Sequence, residues 1–217
     1  LLRGLQRENH QGFVDLMANM FHHVEDPERA ASIREQRARD KIDFTGDRHI
    51  DTQHTFSGFV TDGFPVLAEA LKAAEDWARG LLPYLLTLSG PTGVGKTHLA
   101  LAAAQAVIHR DKPVIFRTEK SLLDSLRHAM RETGPEGGPA PVMEEVLTIP
   151  YLILDDLGAG AVSEWDKAQL DQLVNARWEG VAAQLRTLIT TNLVGINMTP
   201  RMASRLRDAH LGRTVLM

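Results

Sequence analysis

The stretch Gly90-Pro91-Thr92-Gly93-Val94-Gly95-Lys96-Thr97 matches G-x-x-x-x-G-K-[ST] in full, and His98 follows it. Glycines at this spacing let successive backbone N–H groups converge on phosphate oxygens, helped by the N-terminus of the helix that follows. Lys96 then supplies a point charge for the β- and γ-phosphates of a nucleotide, and Thr97 a hydroxyl for Mg²⁺. A glycine-rich turn that merely capped a helix would not require Lys-Thr at that place. Residues 90–98 are therefore the candidate nucleotide site, with ATP and Mg²⁺ as the implied cofactors.

A second signal is YLILDDLG, residues 151–158, where an apolar run ends in Asp155 and Asp156. A carboxylate at the mouth of an oily strand is costly unless something compensates it. In P-loop folds an Asp at the end of a nearby strand holds the Mg²⁺, so Thr97 and Asp155 are the expected metal ligands. Asp156 is expected either to orient or deprotonate the attacking water, or to cap the turn before Gly158. Asn192 closes LRTLITTN at the strand end that faces the ligand side of open α/β sheets. There it would hydrogen-bond the γ-phosphate or the water, or else serve as a turn residue. Residues 201–217 carry Arg201, Arg205, Arg207 and Arg213 against one acid, Asp208. They read as a solvated basic helix or as the source of an arginine finger for a neighbouring subunit's γ-phosphate, which requires an oligomer.

These residues need elements to position them. From Leu81 strands and helices alternate: strands YLLTLS, PVIFRT, YLILDD, LRTLITTN and TVLM, separated by helices over 97–110, 119–132, 142–147, 163–180 and 199–209. Strands separated by helices imply a parallel sheet covered on both faces. A further helix is expected over 66–79, and TGPEGGPAP, 133–141, reads as a flexible loop. Before that, residues 1 to about 42 read as helices, with Phe13, Leu16, Met17, Met20, Phe21 and Val24 at helical spacing. The chain divides into a helical, partner-binding arm over 1–50 and a nucleotide-binding domain over 51–217.

Composition narrows the class. With 217 residues, 43% hydrophobic and 24% charged, the chain is long enough for one globular domain plus a small appendage. It has no cysteine, which excludes disulfides and thiolate-bound zinc. The adjacent His22 and His23 cannot replace such a site, because neighbouring helical residues do not share a face. The apolar runs fall far short of a bilayer span and no signal peptide opens the sequence, so a cytoplasmic chain with no membrane partner is expected. A net charge of −4 argues against bulk polyanion binding but leaves room for a local basic patch.

Together TFSGFV, GPTGVGKTHLA, LILDDLG, TTN and RMASRLR resemble the initiator clade of AAA+ ATPases, over roughly Phe56 to Met217. Within it the likeness is to DnaC-type helicase loaders and IstB-type transposition ATPases. The resemblance implies a three-layer α/β P-loop (AAA+/ASCE) domain with a five-stranded parallel sheet. It makes Lys96 and Thr97 Walker A, Asp155 and Asp156 Walker B, Asn192 sensor 1 and Arg205 the arginine finger acting in trans. Phe56 or Phe59 would pack near the adenine. It also implies a replicative helicase hexamer and single-stranded DNA as partners, with ATP-dependent self-association. Lys120, Arg127 and Arg131, along the helix after the second strand, would contact DNA phosphates. The second Walker B acid is Asp where many relatives outside this branch have Glu, and the sensor 2 role is unassigned, Arg213 being a poor substitute just before the last strand. Other readings stay open: a transposition helper on duplex DNA, which a pI near 6.1 disfavours, an ATP-gated adaptor with little hydrolysis, or a P-loop kinase.

Overall fold

The computed structural model describes residues 54–137, 140–160, 163–180, 184–192, 199–208 and 210–217. The expected helical arm over 1–50, and the start of the following domain at 51, lie outside the described residues.

Helix α1 (Pro65–Ala78) opens on a proline, whose fixed φ suits a first helical position. Strand β1 (Leu85–Ser89) runs into the glycine turn and α2 (Lys96–His109). Then follow β2 (Val114–Thr118), α3 (Glu119–Gly137), α4 (Ala140–Thr148), β3 (Tyr151–Asp155) and α5 (Glu164–Glu179). Strand β4 (Arg186–Thr191), α6 (Pro200–Leu206) and β5 (Gly212–Leu216) complete the order. The five strands form one parallel sheet in the order β2-β3-β4-β1-β5. This bears out the α/β P-loop architecture.

β1, β3 and β4 are buried at every position, as strands covered on both faces must be. Alternate residues serve the two faces. Leu86, Leu88, Phe116, Ile153 and Leu188 join the cluster formed with Ala70, Ala73, Ala74 and Trp77 of α1 and Leu99, Ala103 and Val107 of α2. The small side chains of α1 let it lie close to α2. Trp77, fully buried, meets Tyr151 edge-on at 5.2 Å.

One expectation fails. The glycine- and proline-rich stretch at 133–141 is not a long loop: α3 continues through Pro135 to Gly137 and α4 begins at Ala140. Pro135 has no N–H to donate back along the helix, so α3 forgoes a backbone hydrogen bond near its end. A second boundary also moves. β3 stops at Asp155, and Asp156 turns left-handed at φ 59. The two aspartates therefore do not share a strand. No helix among the described residues is long and apolar enough to cross a membrane.

Candidate functional site

The parallel register brings the C-terminal ends of the strands together: Ser89 beside Thr191, Leu154 beside Ile189, and Thr118 beside Asp155. Every motif residue after a strand emerges at this edge. The glycine turn is anchored there too, because the Gly90 N–H donates to the Thr191 carbonyl at 3.2 Å. Gly95 sits at φ 103 as the N-cap of α2, and no side chain caps the helix. Its first amides are thus left for an anion. Gly95 is also sterically required. A Cβ there would lie 2.5 Å from the Phe59 ring.

Lys96 is 5% exposed, and its Nζ donates to the Gly90 and Pro91 carbonyls, both at 2.8 Å. Burial lowers its pKa, opposed by the nearby charges of Asp156 and Asp155. The Thr97 hydroxyl donates to both Asp155 oxygens, at 3.0 and 3.2 Å, and the Thr190 hydroxyl donates to Oδ1 at 2.6 Å. Asp155 has no exposed surface. A fully buried carboxylate facing hydroxyls suits a bound cation. Among the described residues no three His, Cys, Asp or Glu gather to hold a metal. Thr97 and Asp155 are nevertheless a sufficient protein contribution for Mg²⁺, which takes its remaining ligands from water and nucleotide phosphates.

Asp156 is presented by a tied turn. Its N–H donates to Thr190 Oγ1 at 2.9 Å and the Leu157 N–H donates to the Thr190 carbonyl at 2.9 Å. The Thr191 hydroxyl donates to the Leu157 carbonyl at 2.7 Å. Asn192 follows β4 at the same edge, half-buried, and its Oδ1 is buried without a hydrogen-bond partner among the described residues. Such an orphaned acceptor beside the glycine turn fits a residue that completes its hydrogen bonding only with a ligand or water.

Other expected residues are placed differently. The His98 ring turns away from the glycine turn: Nε2 lies 2.9 Å from the Thr55 carbonyl, and His54 and Phe59 meet the ring edge-on. His98 therefore ties the 54–59 segment to the start of α2 rather than offering its side chain to phosphate. Phe59 packs on the glycine turn, while Phe56 is partly buried against the main core. Arg205 lies 3.5 Å above the Trp178 ring, with Nε buried and unpartnered among the described residues. Arg201 Nε donates to Asn175, and Arg213 pairs with Glu69 at 2.7 Å.

On α3, Lys120 pairs with Asp124 at 2.8 Å. Arg127 bridges Asp124 and the buried Asp166, at 2.9 and 2.7 Å. Asp166 forms the capping box of α5 with Ser163. Burial would raise its pKa, but Ser163 and Arg127 hold it below the usual carboxylate range. Arg127 thus fastens α3 to α5, and Arg131 is left exposed on the same helix.

Sequence reasoning passed over Thr190, Glu119 and Trp178. Thr190 is a hydroxyl within an otherwise buried strand, and Glu119 an acid placed directly after one. Both are signals that polar groups meet at this sheet edge.

The chain matches the family model described as IstB-like ATP binding protein over residues 83–216, which takes in the glycine turn, both aspartates, Asn192 and Arg205. It belongs to that family. An insertion sequence ATP-binding protein of Sinorhizobium fredii is 31% identical to this IstB-like chain over 150 residues, 66% of the chain and 48% of that protein. The replicative helicase loader DnaC of Escherichia coli is 23% identical over 142 residues, 65% of the chain and 55% of the loader. The IstB-like chain spans about half the length of these curated relatives. The crystal structure of the DnaC helicase loader superposes with a TM-score of 0.64 at 24% identity, covering 76% of this chain and 97% of that one. AMPPCP-bound DnaA from Aquifex aeolicus gives 0.66 at 16% identity, covering 78% and 51%. At these identities the superpositions establish a shared fold.

Proposed function

We propose that this protein is an ATPase that uses ATP binding to self-associate and to deliver a partner, a hexameric replicative helicase, onto single-stranded DNA. The ATPase part of the reading is carried by the hydrogen bond from Thr97 to Asp155, which joins the start of α2 to the end of β3, and the loader part is supported by the likeness to the DnaC loader. Lys96 leaves its loop carbonyls for the phosphates, and the free amides of α2 donate to the phosphate oxygens. Thr97 and Asp155 would hold Mg²⁺, and the chemistry it would supply is neutralisation of charge on the transferring phosphoryl group. Asp156 orients the attacking water, and Asn192 Oδ1 accepts a hydrogen bond from it. Arg205 leaves Trp178 to reach the γ-phosphate site of a neighbouring subunit. Residues 1–50 would engage the helicase, and α3 would meet DNA, with Lys120 and Arg131 both exposed toward solvent for phosphates. Turnover would be slow alone and quickened by partner or DNA.

A second reading, a transposition helper on duplex DNA, is supported by the insertion sequence relative, which is 31% identical against 23% for the loader. The test is ATP turnover with single-stranded DNA, with duplex, and with purified replicative helicase. A loader should rise at least about threefold with single strands or helicase, well above any duplex effect. Stimulation by duplex alone would replace the loader with the helper. Indifference to all three would remove both.

A further inference from the structure

Glu119 is 5% exposed and opens α3 immediately after β2, at the strand end where Thr118 lies beside Asp155. Its Oε2 accepts a hydrogen bond from the Gly158 N–H at 2.5 Å. A Cβ added to Gly160 would stand 3.8 Å from Oε1, so the carboxyl lies along the 156–160 turn. That turn departs from ordinary backbone twice: Asp156 lies at φ 59 and Gly158 at φ 82. A left-handed non-glycine residue carries a backbone cost, modest for Asp, that contacts around it must offset. Thr190 and Thr191 hold the turn from β4 through the amides of residues 156 and 157 and the carbonyl of 157. Glu119 holds its far end, from β2 and α3.

We propose that Glu119 is a positioning residue for ATP hydrolysis: by accepting the Gly158 N–H it fixes the turn that aims the Asp156 carboxylate. This rests on the reading that Asp156 orients the attacking water. The hydrogen bonds that organise the nucleotide-holding groups do not include Glu119. Lys96 contacts the Gly90 and Pro91 carbonyls, and Thr97 contacts Asp155. Loss of the Glu119 carboxyl should therefore leave binding intact and loosen only the aim of Asp156. Burial pushes the Glu119 carboxyl above its ordinary value, opposed by the Gly158 N–H and reinforced by the charges of Asp166 and Asp156. A side chain held there against its own solvation, on a main-chain amide, is being used for its acceptor oxygen.

The experiment compares wild type, Glu119→Ala, Glu119→Gln and Asp156→Asn for steady-state ATP turnover and for equilibrium affinity toward a fluorescent ATP analogue. Glu119→Ala should lose about 10- to 100-fold in kcat with KM and affinity within about twofold, the pattern of a mis-aimed group. Glu119→Gln keeps an acceptor at the same reach and should recover to within about threefold of wild type. Should Glu119→Ala fail to fold, Glu119→Asp replaces it: a carboxylate one methylene short should show the same kcat loss. Full kcat in Glu119→Ala or Glu119→Asp while Asp156→Asn is inactive would overturn this proposal and leave the role of Asp156 standing. A Gln variant as slow as the Ala variant, or parallel loss of affinity and kcat, would also overturn it. Full turnover in Asp156→Asn would remove the reading on which it rests.

Discussion

Lys96→Ala is expected to lower the affinity for MgATP by about 100-fold or more and to abolish turnover, since charge-assisted hydrogen bonds contribute about 1.5–3 kcal/mol each. Lys96 is held over the glycine turn that would take the phosphates. Its ammonium is buried to 5% exposure, spans the glycine turn to Gly90 and Pro91, and faces Asp155 and Asp156. Removing it leaves two carboxylates facing the site with no cation between them and the incoming phosphates, so repulsion adds to the lost contacts. Lys96→Arg should fall well short of rescue, because the planar guanidinium cannot reproduce a compact point charge inside the loop. The check is nucleotide affinity by equilibrium titration alongside steady-state turnover. Wild-type affinity in Lys96→Ala would mean that the phosphates lie elsewhere.

The largest effect on stability is expected from Arg177→Ala, about 4 kcal/mol, because it combines a buried cavity with several orphaned acceptors. Arg177 lies in the last turn of α5 and is 1% exposed, and the described residues it bonds to offer carbonyls and a hydroxyl rather than a carboxylate. Instead Nη1 donates to the Ile149 carbonyl at 2.5 Å and to those of Val146 and Leu147 at 3.3 and 3.4 Å. Nη2 donates to the Arg186 carbonyl at 2.5 Å, and Nε to Thr187 Oγ1 at 3.0 Å. One guanidinium thus closes the C-terminal end of α4 and joins it to the starts of β3 and β4. A cation at a helix C-terminus is favourable, and carbonyls left bare there are not. Burial pulls the pKa of this side chain down to about 9. Since a chain of this size loses roughly 2–4 °C per kcal/mol, thermal melting of Arg177→Ala should shift down by about 10 °C. Arg177→Lys should recover less than half of it, because one ammonium cannot span acceptors on three elements. A shift under about 2 °C would show that these carbonyls find other partners.

Much of the nucleotide site was legible because its chemistry demands particular residues next to one another in the chain. Gly90 to Thr97 is a continuous segment, and Asp155 and Asn192 each end an apolar run, so strand alternation alone delivered them to one edge of the sheet. What was not legible depends on contacts between residues far apart in sequence. Nothing in the vicinity of Glu119 announces that it reaches Gly158, 39 positions on, or that Thr190 accepts the Asp156 amide. Arg127 looked like a cation along a basic face, but Asp166 on another helix takes its guanidinium. His98 follows the motif in the chain, yet the Thr55 carbonyl and the rings of His54 and Phe59 take its side chain. Composition misled at 133–141, where glycine and proline content suggested a loop and α3 continues to Gly137. Local pattern reports which face or end a residue occupies; the partner it meets there is set by packing.

The account turns on Asp156, an aspartate held in a left-handed turn beside Lys96, with a reach about one bond shorter than a glutamate would have. The direct measurement is ATP turnover by Asp156→Asn, with nucleotide affinity determined on the same protein. The amide keeps the size of the side chain and removes its charge, so the turn and the phosphate contacts should survive. Turnover should fall about 100- to 1,000-fold with affinity within about threefold of wild type, as for a group acting only on the attacking water. Hydrolysis by Asp156→Asn at the wild-type rate would contradict the account and leave Asp156 as a turn residue in an ATP-gated clamp.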